Sequence, residues 1–163
     1  MTGELSQFIN NNFSFLFILL AIVHSLVAIS LYKQPPARSL LKYLLIYAIG
    51  LQGIFAGLGH IFFSNTLAQG IGWPTGSPFQ FQVGISNLGM GVLGLLCAWK
   101  DEDFWLATVI ISSVFLFGAG ISHVRQIILM KNYTSLNAGS ILYSDVLVPF
   151  VIIILYVIDR KKL

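Results

Sequence analysis

Long, nearly unbroken apolar stretches, separated by short polar segments, are the dominant pattern of this chain. Each stretch is long enough to cross about 30 Å of hydrocarbon as a helix. Strands of a membrane barrel would instead need alternating segments of about ten residues. We therefore predict one all-α domain, a bundle of five transmembrane helices with spans at about 13–32, 39–63, 78–99, 104–130 and 141–158.

The basic residues are distributed unevenly between the two sides of such a bundle. An odd number of spans places the following on one side: Lys33, Arg38, Lys42, Lys100, Arg160, Lys161 and Lys162. Arg125 and Lys131 fall toward the other side. Because cytoplasmic segments carry the excess of Lys and Arg, we predict an outer N-terminus and a cytoplasmic C-terminus.

The composition supports lipid as the main partner. Of the 163 residues, 56% are hydrophobic and only 9% are charged, whereas soluble domains carry about 25% charged residues. The net charge of +3 comes from dispersed residues, so nucleic acid is not a predicted partner. Residues 1–12 contain no Lys or Arg, which argues against a cleaved signal peptide. The single cysteine, Cys97, lies in a predicted span and is expected to be an inert packing residue.

The link between the second and third spans, residues 64–77, carries no charge. Pro74 and Gly76 suit a tight turn, and a long link of this kind is often functional. Two interpretations stay open: a loop folded over the outer mouth of the bundle, or an interfacial loop anchored by Trp73. Ser77 and Gln80 match a capping box at the start of the third helix, which makes Gln80 structural.

The few ionisable residues inside the spans lie at nearly one depth. His60 is near the end of the second span, His123 and Arg125 are near the end of the fourth, and Asp145 is near the start of the fifth. Small residues share the helical faces of His60, Gln82 and His123, so these three are predicted to point inward. Intramembrane ionisable residues mark functional sites. We predict a small-molecule or ion site in the outer half, formed by His60, Gln82, Asn87, His123, Arg125 and Asp145.

Structural roles for the same residues compete with this hypothesis. Each histidine could be neutral and bonded to a backbone carbonyl or to Gln82. Arg125 and Asp145 could form a structural ion pair; alternatively, Arg125 holds an anion or headgroup while Asp145 and a histidine move a proton. Two histidines and one carboxylate would suffice for zinc, but they come from three helices without a short motif. We therefore predict no metal, and the sequence identifies no cofactor.

Two segments of the chain are distinctive, Gly72-Trp73-Pro74 and Ser77-Pro78-Phe79-Gln80. Together with residues 59–60, 71–74, 104–105, 137–139 and 143–145, they resemble a family of small prokaryotic membrane proteins of unknown function. The similarity runs from about residue 45 to the end of the chain. The resemblance implies a protein of the bacterial inner membrane and supports importance for His60, His123 and Asp145, but it supplies no activity.

Three functions remain open at this point. The first is binding or transport of a small molecule or ion in the polar site. The second is a membrane-embedded enzyme that acts on a lipid-like substrate by proton transfer through His123 and Asp145, loosely like small sterol isomerases. The third is an accessory subunit that binds another membrane protein through the faces of Gly53 and Gly57. A chain of this size is also a candidate homodimer.

Overall fold

The chain folds into an all-α structure in the computed structural model, which describes residues 2–100 and 102–161. Helix α2 begins at Pro36, which has no amide hydrogen to lose at the first helical turn. Its middle section, Leu45–Leu51, is π-helical. The helices are α1 Thr2–Tyr32, α2 Pro36–Phe62, α3 Ser64–Ile71, α4 Phe79–Leu96, α5 Glu102–Met130, α6 Ser135–Ala138 and α7 Ser140–Arg160.

Five of the described helical segments are long and apolar enough to cross a membrane. They are Asn11–Tyr32, Pro36–Phe62, Phe79–Leu96, Asp103–Met130 and Ser135–Arg160. These segments correspond one to one with the predicted spans, so the prediction of five long helices is confirmed. The arrangement is compatible with a multi-pass membrane protein.

Glycines bring α2 and α4 into direct backbone contact. A Cβ atom at Gly53 would lie 2.9 Å from the Asn87 carbonyl oxygen and from the Gly91 Cα. At Gly57 it would lie 2.8 Å from the Gly84 carbonyl oxygen. Only glycine permits this approach, so the packing role predicted for small residues holds here. We call this contact the glycine seam, and its members are Gly50, Gly53, Gly57, Gly84, Gly91 and Gly94.

A second helix pair, α5 and α7, packs separately from the first. Helix α1 lies against α2 and α7, while α4 and α5 touch only sparsely. The two pairs meet in an apolar core that includes Leu41, Leu45, Cys97, Trp105 and Ile152. This core lies toward the end of the bundle at which α1 and α4 end and α2 and α5 begin, here called the basic end. The opposite end is called the histidine end, and there the two pairs stand apart.

Candidate functional site

A cavity of about 860 Å³ separates the two helix pairs at the histidine end. Its walls are mostly apolar, and large aromatic side chains supply much of the surface: Phe13, Phe55, Phe63, Trp73, Phe79 and Phe115. Polar groups interrupt this surface at a few positions, chiefly Gln52, His60, Asn87, His123 and Asp145. An apolar pocket of this volume with a few convergent polar groups is typical of a small-molecule site.

Four of the six predicted site residues line this cavity: His60, Asn87, His123 and Asp145. The other two, Gln82 and Arg125, are exposed and do not line it. The prediction that Gln82 points into the bundle is therefore wrong. Helix α4 turns Gly84 and Gly91 toward α2, and a residue two positions from Gly84 lies on the opposite side of the helix.

The expected ion pair between Arg125 and Asp145 is not among the contacts of the described residues. Arg125 follows His123 by two positions, which places the two side chains on different faces of α5. Asp145 lies instead 3.5 Å from His123, measured from Oδ2 to Nε2. Both side chains are buried, with relative exposures of 6% for Asp145 and 10% for His123. Asp145 therefore belongs with the histidine rather than with the arginine.

Asn137 fixes the protonation of one nitrogen of His123. The Asn137 Nδ2 donates to the Asn132 carbonyl oxygen at 2.8 Å, so its Oδ1 is the atom that faces His123 Nδ1, at 2.8 Å. An amide oxygen can only accept, and Nδ1 therefore carries a proton. If one further proton is carried by either His123 Nε2 or the Asp145 carboxylate, the pair has no net charge. A pair without net charge costs less to bury than an unpaired carboxylate.

His60 makes its hydrogen bond with Gln80. Its Nδ1 lies 2.5 Å from Gln80 Oε1, and this contact joins α2 to α4. The expected capping box is not formed. Helix α4 begins at Phe79, whose amide donates to Ser77 Oγ, and the buried Gln80 side chain crosses to α2 instead.

Gln52 is a cavity residue that the sequence analysis missed. It is 6% exposed, and its Nε2 donates to Ser144 Oγ of α7 at 3.3 Å. Its Oε1 has no hydrogen-bond partner. Gln52 lies eight residues before His60, about 12 Å deeper along α2 at 1.5 Å per residue. The spacing of Gln52, Ala56 and His60 at four-residue intervals is a signal that could have identified it.

The uncharged link after α2 lies over the cavity, mainly as a helix rather than a loop. Thr66, Leu67 and Trp73 line the cavity from this side. The Asn132 side chain donates to the Ile71 carbonyl oxygen at 2.7 Å. The next residue, Gly72, has a φ of 80°, and a Cβ atom there would lie 2.6 Å from Asn132 Nδ2. This link, residues 64–77, is called the roof of the cavity, and it is hydrogen-bonded to the segment after α5.

Two further features delimit the site. His24 does not line the cavity, and its Nδ1 is hydrogen-bonded to the Tyr47 hydroxyl at 2.8 Å. Among the described residues, no three His, Cys, Asp or Glu side chains are grouped closely enough to hold a metal ion. The cavity therefore offers hydrogen bonds and apolar surface.

No curated protein matches the chain, and no solved structure matches it. One family model does match, and it covers residues 11–163, a longer region than the similarity predicted from residue 45 onward. The chain therefore belongs to the family of unknown function DUF6790.

Proposed function

We propose that this protein is a multi-pass membrane protein that binds a small amphipathic molecule in the cavity at the histidine end. The observation that carries the proposal is the combination, in one cavity, of aromatic walls and a few buried polar groups. Aromatic surface suits the apolar body of a ligand, and the polar groups orient its head. Transport of the same molecule would require this binding step.

The placement of the cavity supports access from the outer half of a bacterial inner membrane. The basic end carries Lys33, Arg38, Lys42, Lys100 and Arg160, whereas Arg125 and Lys131 lie toward the histidine end. By the excess of basic residues on cytoplasmic segments, the histidine end faces outward. The family resemblance to prokaryotic membrane proteins supports the same location.

A second candidate function, proton transfer to or from a lipid-like substrate, rests on the contact between His123 and Asp145. A histidine and a carboxylate that share a proton beside an apolar cavity can act as general acid and base. Such activity would appear as deuterium uptake from D2O next to the carbonyl of 2-dodecanone. The His123→Ala and Asp145→Ala variants would then lack it.

The accessory-subunit hypothesis loses the surface on which it rested. Gly53 and Gly57 pack against α4 within the chain, so they are not available to another protein or to a second copy. A homodimer would have to use a different face.

The chain provides a matched pair of variants to test ligand binding. Gly118 lines the cavity, and a Cβ atom there would meet open space; Gly89 also faces open space but lies outside the cavity. Gly118→Phe therefore fills the cavity with little strain, and Gly89→Phe controls for the same change elsewhere. The ligand probe is 1-dodecanol, which raises the unfolding temperature if it binds the folded protein.

We expect wild-type protein and Gly89→Phe to be stabilised by 1-dodecanol in detergent, and Gly118→Phe to lose the effect. Unfolding can be followed with a dye that becomes fluorescent on reacting with Cys97, the only cysteine, which is fully buried. Equal stabilisation of all three proteins would place binding outside the cavity and contradict the proposal.

A further inference from the structure

Two side-chain amides that line the cavity each keep an acceptor oxygen without a protein partner. Asn87 Nδ2 donates one of its two hydrogens to the Val83 carbonyl oxygen at 2.9 Å, and none of the described residues donates to its Oδ1. Gln52 Nε2 likewise donates one hydrogen to Ser144 Oγ, and its Oε1 has no partner. Each amide therefore has one donor engaged within the protein and a free oxygen that can only accept.

The Gln52 Oε1 atom has the strongest need for a hydrogen-bond donor. Its side chain is buried, yet its Oε1 has no partner. A buried polar atom without a partner is unfavourable and requires an explanation. A ligand group that donates a hydrogen bond to this oxygen would remove the penalty.

The charges around the cavity disfavour an anion. None of the described residues that line it is Lys or Arg, and Arg125 is exposed on another face of α5. His123 and Asp145 together are neutral, so they offer no excess positive charge. An anionic headgroup would be desolvated here without a counter-charge.

We infer that the ligand's polar group is a hydrogen-bond donor, a hydroxyl or an amine, which Gln52 Oε1 and Asp145 accept at the deep end of the cavity. Both side chains line the cavity, and the hydrogen bond from Gln52 to Ser144, the residue before Asp145, places them at a similar depth. The apolar part of the ligand extends along Phe55 and Phe79 toward the roof. This inference rests on the proposed function and names the class of molecule that the cavity selects.

A series of probes with one dodecyl tail and different heads tests the inference. The probes are 1-dodecanol, dodecylamine, dodecyl methyl ether and dodecanoate, and the readout is the unfolding temperature of the full chain at several probe concentrations. We expect the alcohol and the amine to bind with Kd values about tenfold below that of the ether, since the ether cannot donate to the buried oxygen. Dodecanoate should bind more weakly than the alcohol.

Two glutamine variants locate the selectivity. In Gln52→Leu the ratio of the ether and alcohol Kd values should fall toward one, because the unpartnered oxygen is gone. In Gln82→Leu, which changes an exposed glutamine outside the cavity, the ratio should stay as in the wild type. A structural role alone for Gln52 would lower stability without changing this ratio.

The head-group series on wild-type protein decides the matter even if Gln52→Leu does not fold. Equal affinity for alcohol and ether, or tighter binding of dodecanoate, would overturn the donor inference and leave the proposed cavity binding intact. Failure of every probe to bind the wild type would overturn the proposed function itself.

Discussion

On the side of α2 that faces α4, Gly53 and Gly57 bring two helix backbones into contact. On another side of the same helix, Gln52, Phe55 and Ala56 border a cavity of about 860 Å³. One helix thus takes part in both the closest and the most open packing of the bundle. Small residues close the first side, whereas large aromatic side chains line the second without filling it.

The comparison shows how a cavity can persist between two walls whose polar side chains form hydrogen bonds within each wall. His60 bonds to Gln80 within the α2–α4 wall, and His123 bonds to Asn137 on the α5–α7 side. At the deep end of the cavity, here called the floor, Gln52 donates a hydrogen bond to Ser144. At the roof, Asn132 donates a hydrogen bond to the Ile71 carbonyl oxygen. The space between floor and roof is therefore not crossed by these hydrogen bonds.

The largest expected effect comes from breaking the glycine seam. A Cβ atom at Gly91 would lie 2.6 Å from the Ile54 backbone nitrogen, so Gly91→Leu must force α2 and α4 apart. We expect a loss of about 3 kcal/mol in the free energy of unfolding. Gly89→Leu, two residues away and facing open space, should change it by less than about 0.5 kcal/mol.

Denaturation in mixed micelles, followed by circular dichroism, measures both values. Similar stabilities for Gly91→Leu and Gly89→Leu would show that the seam is not closely packed, and the contrast between the two sides of α2 would disappear.

The long helices and the depth of the polar residues could be predicted because they depend only on the length and order of apolar runs. The same reasoning predicted that His60, His123 and Asp145 lie toward one end of the bundle. Which face of a helix turns inward is a finer question. In α4, small residues occur both at Gly91, in the seam, and at Gly89, facing open space, so they do not identify the inner face.

That ambiguity explains the choice of Gln82 in place of Gln80, which lies two residues away on a different face. Helix α3 was missed for another reason: Ser64–Ile71 is short and contains polar residues and a glycine, a composition typical of loops. The cavity itself depends on how side chains from several helices fail to meet, and no local pattern encodes that.

An intermediate effect is expected from the buried His123–Asp145 pair, measured by a double-mutant cycle with His123→Phe and Asp145→Asn. Since both groups are buried and adjacent, we expect a coupling of about 2 kcal/mol. At the basic end, the Arg38–Asp159 pair has a 3.4 Å contact and a partly exposed arginine, and its coupling should stay below about 1 kcal/mol.

Salt separates the two cycles further. Raising the salt concentration should weaken the Arg38–Asp159 coupling and leave the His123–Asp145 coupling unchanged, since exposed charges are screened and buried ones are not. A His123–Asp145 coupling near zero would mean that the two side chains do not interact, and the neutral pair would have to be abandoned.

The smallest effect is expected at Arg125, and it distinguishes the two assignments of Asp145. If Asp145 pairs with His123, Arg125→Gln removes only an exposed charge and should change the free energy of unfolding by less than about 0.5 kcal/mol. If Asp145 instead pairs with Arg125, the same variant leaves a buried carboxylate alone, at about 3 kcal/mol or more. The same unfolding assay resolves these values. A large loss would mean that Arg125 pairs with Asp145 at the cavity. Arg125 would then supply the positive charge that an anionic ligand needs, and the inference of a donor headgroup would lose its basis.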